Sequence, residues 1–307
     1  MDSLEFIMCH GSANRFVMID AVAKEFDFEG VDSFVRDICA KTHSDGVLFL
    51  VKYNTSDMAM RMFNTDGSES EMCGNGMRCI ARLADEKYLK TDSYTLFSGG
   101  QSYPITRKEP LGDGVATYGV EISISTATKD FTLSDTMFLG QPIEELDDTL
   151  LFTYLNLGNP HIVAQVDEIN LDQLSTMGER VKSLKNIFPY GVNVSVMKHL
   201  GGQEIFVATY ERGVGLTASC GTAMTASSTT ATLLNLTQAD SIIDVCNRGG
   251  FVRCICHNDL SGIKTELIGN ATYEYLARYT SQGEVEIIEE YAQEQQSWNA
   301  IVASSNI

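Results

Sequence analysis

Two cysteines stand in nearly matching surroundings 147 residues apart: Cys73 in SEMCGNGMRC and Cys220 in ASCGTAM. From Gly76 onward Met77, Ile80, Ala81, Ala84 and Tyr88 recur at helical spacing, which predicts that Cys73 stands at a helix N-terminus. There the helix dipole and unpaired N–H groups stabilise a thiolate and lower its pKa. The same N–H groups form an anion site fit for a carboxylate. The glycine after each cysteine lets backbone approach a ligand closely. Two such sites set opposite each other would hold one small carboxylate between two thiols. One thiolate could then take a proton from carbon while the other thiol delivers one to the opposite face, inverting a stereocentre by general acid–base catalysis. The α-carbon of an amino acid is a very weak acid. N–H groups converging on its carboxylate would stabilise the carbanion-like state without a cofactor.

Simpler readings exist. A buried, inert thiol accounts for either cysteine taken alone, but recurrence in matching settings argues against it for the pair. Zinc is disfavoured, and no metal is expected, because Cys73/Cys79 and the Cys254, Cys256, His257 run lack the paired spacing of structural sites. Cys254 and Cys256 read instead as one face of a strand. A redox dithiol would more often show C-x-x-C, which is absent.

The elements around the cysteines must position them twice. Residues 4–8 and 15–20 read as strands flanking HGSAN, 33–41 as a short helix with Asp32 as N-cap, and 46–53 and 58–63 as paired strands. Asn14-Arg15 before FVMID resembles Asn159-Pro160 before HIVAQVD, 145 residues later. Gly99-Gly100 resembles Gly249-Gly250, 150 residues later. With the cysteines, these are three markers in one order at almost one offset. They predict a duplicated α/β (α+β) fold whose two related halves face each other across an active-site cleft, each presenting one cysteine. The polar run SISTATK at 123–129 suggests a boundary, giving halves at 1–125 and 126–270, the first completed by a returning strand near 270–290. The remainder, 291–307, is an acidic, polar tail, partly helical, whose last residues should fray.

The totals describe a globular chain and exclude some partners without identifying a ligand. A chain of 307 residues with 44% hydrophobic content has ample material for two cores. Its net charge of −19 argues against nucleic acid and anionic membrane surfaces as partners. The N-terminus lacks the basic and apolar regions of a signal peptide, and no apolar run reaches the ~18 residues that span a bilayer. A cytoplasmic location is therefore expected. The eight cysteines then read as free thiols, and the sequons at Asn54, Asn193, Asn235 and Asn270 as coincidental.

HGSAN at 10–14, FNTDGSESEMCGNGMRC at 63–79, LGNPHIV at 157–163, GVNV at 191–194 and YERGVGLTASCGTA at 210–223 together resemble the pyridoxal-independent diaminopimelate epimerases, in a version like that of lactic-acid bacteria. The resemblance runs from about Phe6 to Tyr273. It implies two pseudo-symmetric domains, each a barrel-like sheet around a central helix, and often a homodimer. It implies that Cys73 and Cys220 are the acid–base pair converting LL-diaminopimelate to the meso form, for lysine and peptidoglycan synthesis. The N–H groups of Gly74, Asn75, Gly221 and Thr222 would hold the reacting carboxylate, and His161 and Glu211 would contact the reacting amino group and tune the thiols. Asn14 is retained at a substrate-binding position. Asn64, Asn159, Asn193, Glu211 and Arg212 would read the distal amino-acid head, Arg212 by bidentate contact with its carboxylate. Three departures, Arg15 for an acidic residue, the shortened THSDG at 42–46 and Leu216 for a glutamate, leave an epimerase or racemase of another amino acid as the alternative.

Overall fold

The computed structural model describes residues 3–126, 130–260 and 262–304. Residues 127–129 of the expected boundary segment, and the last residues expected to fray, lie outside this set. The chain forms two compact units, one of Met1–Val120 with Ile268–Asn306 and the other of Glu121–Leu267.

The first unit begins with β1 (Leu4–Gly11), β2 (Asn14–Asp20), α1 (Val31–Thr42), β3 (Gly46–Lys52) and β4 (Met58–Asn64). It continues through the short β5 (Glu69–Ser70), α2 (Gly74–Ala84), β6 (Ser93–Ser98) and β7 (Gln101–Lys108), and the chain leaves along β8 (Thr117–Ile124). β1 pairs antiparallel with β2, β2 parallel with β3, β3 antiparallel with β4, β4 parallel with β6 and β6 antiparallel with β7. The parallel pairs are those whose connections contain α1 and α2, as a crossover requires.

The second unit repeats this order. It contains β9 (Gln141–Ile143), β10 (Asp147–Asn156), β11 (Pro160–Gln165), α3 (Leu171–Val181), β12 (Asn193–Gly201), β13 (Glu204–Glu211) and β14 (Gly215–Thr217). Then come α4 (Gly221–Leu233), β15 (Ile242–Asn247), β16 (Gly250–Asp259) and β17 (Gly262–Asn270). The ladder β10–β11–β12–β13–β15–β16 runs antiparallel, parallel, antiparallel, parallel, antiparallel, as in the first unit. The duplication read from three sequence markers therefore holds element by element. The chain returns to the first unit as β18 (Thr272–Tyr279), β19 (Val285–Glu290) and α5 (Ala292–Ser304), with β18 antiparallel to β1 and β19 antiparallel to β18.

Inner strands are covered on both faces, so they read as continuous apolar runs. In β2 and β3, Val17, Ile19, Val47 and Phe49 join Phe34, Val35 and Ile38 of α1 in one cluster. The intervening Phe16, Met18 and Leu48 are equally buried and, by the period of two, point to the other face, where α2 lies. The second unit packs Leu174, Met177 and Val181 of α3 on Ile162, Val194 and Val196 in the same manner. α2 and α4 are buried along their length, as central helices. α4 (GTAMTASSTTATL) tolerates this with few large apolar residues because its hydroxyls return to its own backbone: Thr225 to the Gly221 carbonyl at 2.9 Å and Thr229 to that of Thr225 at 2.8 Å.

One local expectation is corrected. α1 starts after Gly30, which is left-handed at φ 67° and gives no side-chain cap. Asp32 lies in the first helical turn and pairs with Arg36 one turn on.

Candidate active site

Cys73 is the N-cap of α2, with extended backbone at φ −141°. Its sulfur accepts the Gly76 N–H at 3.4 Å and lies 4.0 Å from Asn14 Oδ1. These two partners suit opposite protonation states: the N–H stabilises a thiolate and the carbonyl oxygen accepts from a thiol. Asn14 is aimed by its other contacts. Its Nδ2 donates to Asp45 Oδ2 at 2.8 Å, and its Oδ1 accepts from Asn75 Nδ2 at 3.3 Å. Asp45 Oδ2 also takes the Arg15 N–H at 2.8 Å, so one carboxylate oxygen anchors the start of β2.

Asn14 follows a turn in which Ser12 and Ala13 are both left-handed, at φ 52° and 61°. The turn fits tightly over the first turn of α2. A Cβ on Gly11 would come within 2.8 Å of the Asn75 carbonyl oxygen. Beneath it Arg78 is fully buried and donates to the carbonyls of Gly74 and Asn270, to Ser12 Oγ and to Asn75 Oδ1. Arg15, a departure from the family pattern, is held by Glu274 through two contacts of 2.9 and 2.7 Å. Asn64 bonds within its own turn, to Ser68 at 3.0 Å, and among the described residues none of its side-chain hydrogen bonds reaches the Cys73 set.

In the second unit Cys220 is the N-cap of α4. Its sulfur is 3.6 Å from Thr222 Oγ1. That hydroxyl is 3.1 Å from His161 Nε2 and accepts from Asn159 Nδ2 at 3.3 Å. His161 Nε2 also meets Asn159 Oδ1 at 3.0 Å and Asn193 Nδ2 at 3.4 Å. Asn193 Oδ1 accepts the Arg212 N–H at 2.9 Å, and Arg212 Nη1 donates to the Tyr190 carbonyl at 2.7 Å. Cys220, Thr222, His161, Asn159, Asn193 and Arg212 thus form one connected set around the start of α4. Arg212 is exposed and has no carboxylate partner among the described residues.

The electrostatics differ from the simple helix-terminus expectation. The Cys220 thiol is pushed well above its ordinary pKa, first by burial and then by the negative charge of Glu211; Thr222 and the Ala223 N–H oppose this without prevailing. At rest Cys220 therefore keeps its proton. His161 is pushed down to about 3 by complete burial and the nearby Arg212 cation, so its ring is neutral at working pH. Leu216, another departure, lines a small cavity beside Cys220 together with Thr209, Thr217, Ser219 and Asn247.

Asp45, His10, Arg78 and Asn270 were not among the residues expected here. Their signal was partly present, since His10 and Arg78 lie inside HGSAN and CGNGMRC and Asp45 inside THSDG. Asn270, read only as a sequon, is fully buried, where no glycan could be attached. Among the described residues no His/Cys/Asp/Glu group is arranged to hold a metal ion, and no helix is long and apolar enough to cross a membrane.

Known proteins agree with this architecture. The family model described as diaminopimelate epimerase matches residues 6–109 and 153–274. A diaminopimelate epimerase of Clostridium acetobutylicum is 37% identical over 88% of this chain and 84% of its own length. One from Listeria monocytogenes is 35% identical over 98% and 97%. Among solved structures, a PhzF-family phenazine biosynthesis protein of Bacillus anthracis superposes with a TM-score of 0.66 at 16% identity, over 91% of this chain and 99% of that one. A hydroxyproline epimerase of Agrobacterium vitis does so at 0.61 and 10% identity, over 99% and 98%. These two likenesses bear on the fold alone, whereas the family match and the curated relatives reach further: the chain belongs to the diaminopimelate epimerase family of isomerases.

Proposed function

We propose that this protein interconverts LL- and meso-diaminopimelate, with Cys73 and Cys220 acting as the acid–base pair at one α-carbon. The observation that carries the reading is the recurrence of a cysteine N-cap on the central helix of two topologically matching units, within a chain of this family. Cys73, served by the Gly76 N–H and Asn14 Oδ1, can hold or release a proton with a partner for either state. Cys220, kept protonated by burial and Glu211, is the resting donor. A proton leaving one face of the α-carbon to one sulfur is matched by a proton delivered from the other sulfur, so the enzyme ends each turnover with the two protonation states exchanged.

The N–H groups of Gly74, Asn75, Gly221 and Thr222, at the first turns of α2 and α4, would hold the reacting carboxylate and stabilise charge as the α-proton leaves. Neutral His161 organises Thr222, Asn159 and Asn193 and does not titrate in the cycle. Glu211 beside Cys220 is suited to the reacting ammonium. The free guanidinium edge of Arg212, with Asn159, Asn193 and Asn64, would read the distal head. Such a product serves lysine and peptidoglycan synthesis in the cytoplasm.

The test is α-proton exchange in D2O, followed by NMR, with LL-diaminopimelate and with single L-amino acids. Exchange with diaminopimelate that is lost in Cys73→Ala and in Cys220→Ala is the expected result. Exchange confined to another amino acid would overturn the substrate, and exchange surviving loss of either thiol would overturn the mechanism.

A further inference from the structure

The family match ends at residue 274, and the chain beyond it returns to the first unit and docks α5 there. Trp298, the chain's only tryptophan, is buried with its ring centre 5.8 Å from that of His10. Gln295, one turn earlier, presents Oε1 to His10 Nε2 at 3.0 Å. The Gln295 Nε2 donates to Asn299 Oδ1 at 3.0 Å.

The other ring nitrogen faces N–H donors. His10 Nδ1 lies 3.2 Å from Asn270 Nδ2 and 3.4 Å from the Ala13 N–H. The Asn270 amide is fixed in orientation, since its Oδ1 accepts the Ser12 backbone N–H at 2.8 Å. Asn270 and the Ala13 N–H thus demand a lone pair on Nδ1 and hydrogen on Nε2, the hydrogen that Gln295 Oε1 accepts. That lone pair holds the Ala13 N–H of the left-handed turn that delivers Asn14 to Cys73. Two consecutive non-glycine residues in that region are strained and persist only where surroundings fix them.

We propose that α5 belongs to the Cys73 half-site, with Gln295 a positioning residue that accepts the Nε2 hydrogen of His10 and so seats the ring whose Nδ1 holds the Ser12–Ala13 turn and aims Asn14 at Cys73. For its catalytic meaning the proposal rests on the reading of Cys73 given above, but its geometry does not. Burial lowers the His10 pKa, in keeping with a neutral ring.

The test uses the full-length protein. Gln295→Met removes the acceptor at similar volume, Gln295→Glu retains an acceptor oxygen, and Asn299→Ala, at an exposed position, frees the amide. The readouts are the ring ¹⁵N shifts of His10, the iodoacetamide alkylation rates of Cys73 and Cys220 by peptide mass, and kcat against KM. Wild type and Gln295→Glu should show the Nε2–H tautomer. Gln295→Met leaves the Nε2 hydrogen without this acceptor and should shift the Nε2 signal, change the Cys73 rate by about fivefold, the factor for one net hydrogen bond, and leave Cys220 unchanged. Asn299→Ala should move the same readouts less, and kcat should follow Cys73 with KM nearly constant. An Nδ1–H ring in the wild type, or a Cys73 rate equal to wild type in Gln295→Met, would overturn the proposal. Movement of the NMR and alkylation readouts in a protein that does not turn over diaminopimelate would uphold it while removing the functional reading.

Discussion

Gly76→Ala places a single methyl between the first turn of α2 and β3. An ideal Cβ there would lie 2.8 Å from Leu48 Cδ2, and 3.5 Å from Cys73 Sγ. Leu48 is fully buried on an inner strand and has little room to turn aside, so the helix start must move away by several tenths of an ångström. Overpacking of this kind costs about 1–3 kcal/mol. Replacing glycine by alanine in a helix returns about 1 kcal/mol. The net is a destabilisation of roughly 0–2 kcal/mol, a fall in melting temperature of up to about 8 °C at ~2–4 °C per kcal/mol. The same displacement lengthens the 3.4 Å contact between the Gly76 N–H and Cys73 Sγ, so Cys73 should be alkylated more slowly at neutral pH even where the fold survives. Adding Leu48→Ala removes the clashing carbon, and the double variant should recover about 1–2 kcal/mol relative to the sum of the single changes. Calorimetry and alkylation with peptide mass read both effects. A Gly76→Ala protein stabilised by the full alanine preference, with Cys73 reactivity unchanged, would refute the close packing of α2 on β3 as the determinant of the thiol's setting.

Other outcomes follow from the same contacts. Asp45→Ala frees the Asn14 amide and the Arg15 N–H; because Asp45 is exposed, each bond is worth about 1 kcal/mol or less, so kcat/KM should fall about five- to tenfold with the melting temperature nearly unchanged. His161 is neutral in the fold down to about 3, whereas the unfolded chain takes up its proton near 6.5. The unfolded state therefore binds more protons between those values, and stability should fall as pH drops through that window, by up to ~1.4 kcal/mol per unit. Urea midpoints across it should show a shallower slope in His161→Asn. Glu294→Ala leaves Arg82, nearly buried, with Glu86 as its remaining carboxylate, and should cost roughly 2–3 kcal/mol in urea unfolding, less than a fully buried pair because Glu294 is part-exposed.

What could be read in the sequence was what repeats or what obeys a short period. The two cysteine–glycine caps, the Asn14/Asn159 strand starts and the Gly99/Gly249 hairpin turns stand at one offset, and each recurs at the same place in its unit's ladder. The sequence points to Asp32 as the N-cap of α1 because Asp is a favoured capping residue, while the chain enters the helix through a left-handed Gly30 that spacing does not distinguish from a turn. The site's supports were harder to see. His10, Asn270 and Gln295 meet through sequence separations as long as 285 residues, Asp45 reaches Asn14 and Arg15 from the next strand's approach, and each has an ordinary local explanation as turn, sequon or tail residue. The helix terminus by itself predicts an acidic thiol; at Cys220 the larger influence is solvent exclusion, which is not local in sequence, joined by the carboxylate of Glu211, which the resemblance names as tuning the thiols.

The first unit is discontinuous in the chain, and this has a consequence for synthesis. β1 carries HGSAN at its end, yet one of its two neighbours is β18, which emerges from the ribosome only after the whole of the second unit has been made. Until then β1 presents an unpaired edge rich in Phe, Ile and Met, the kind of surface that seeks another strand. The second unit is contiguous and can close its own ladder while still tethered. Translation halted before Thr272 would therefore leave a nascent chain with one completed half and one sticky edge, a substrate for chaperones and proteases.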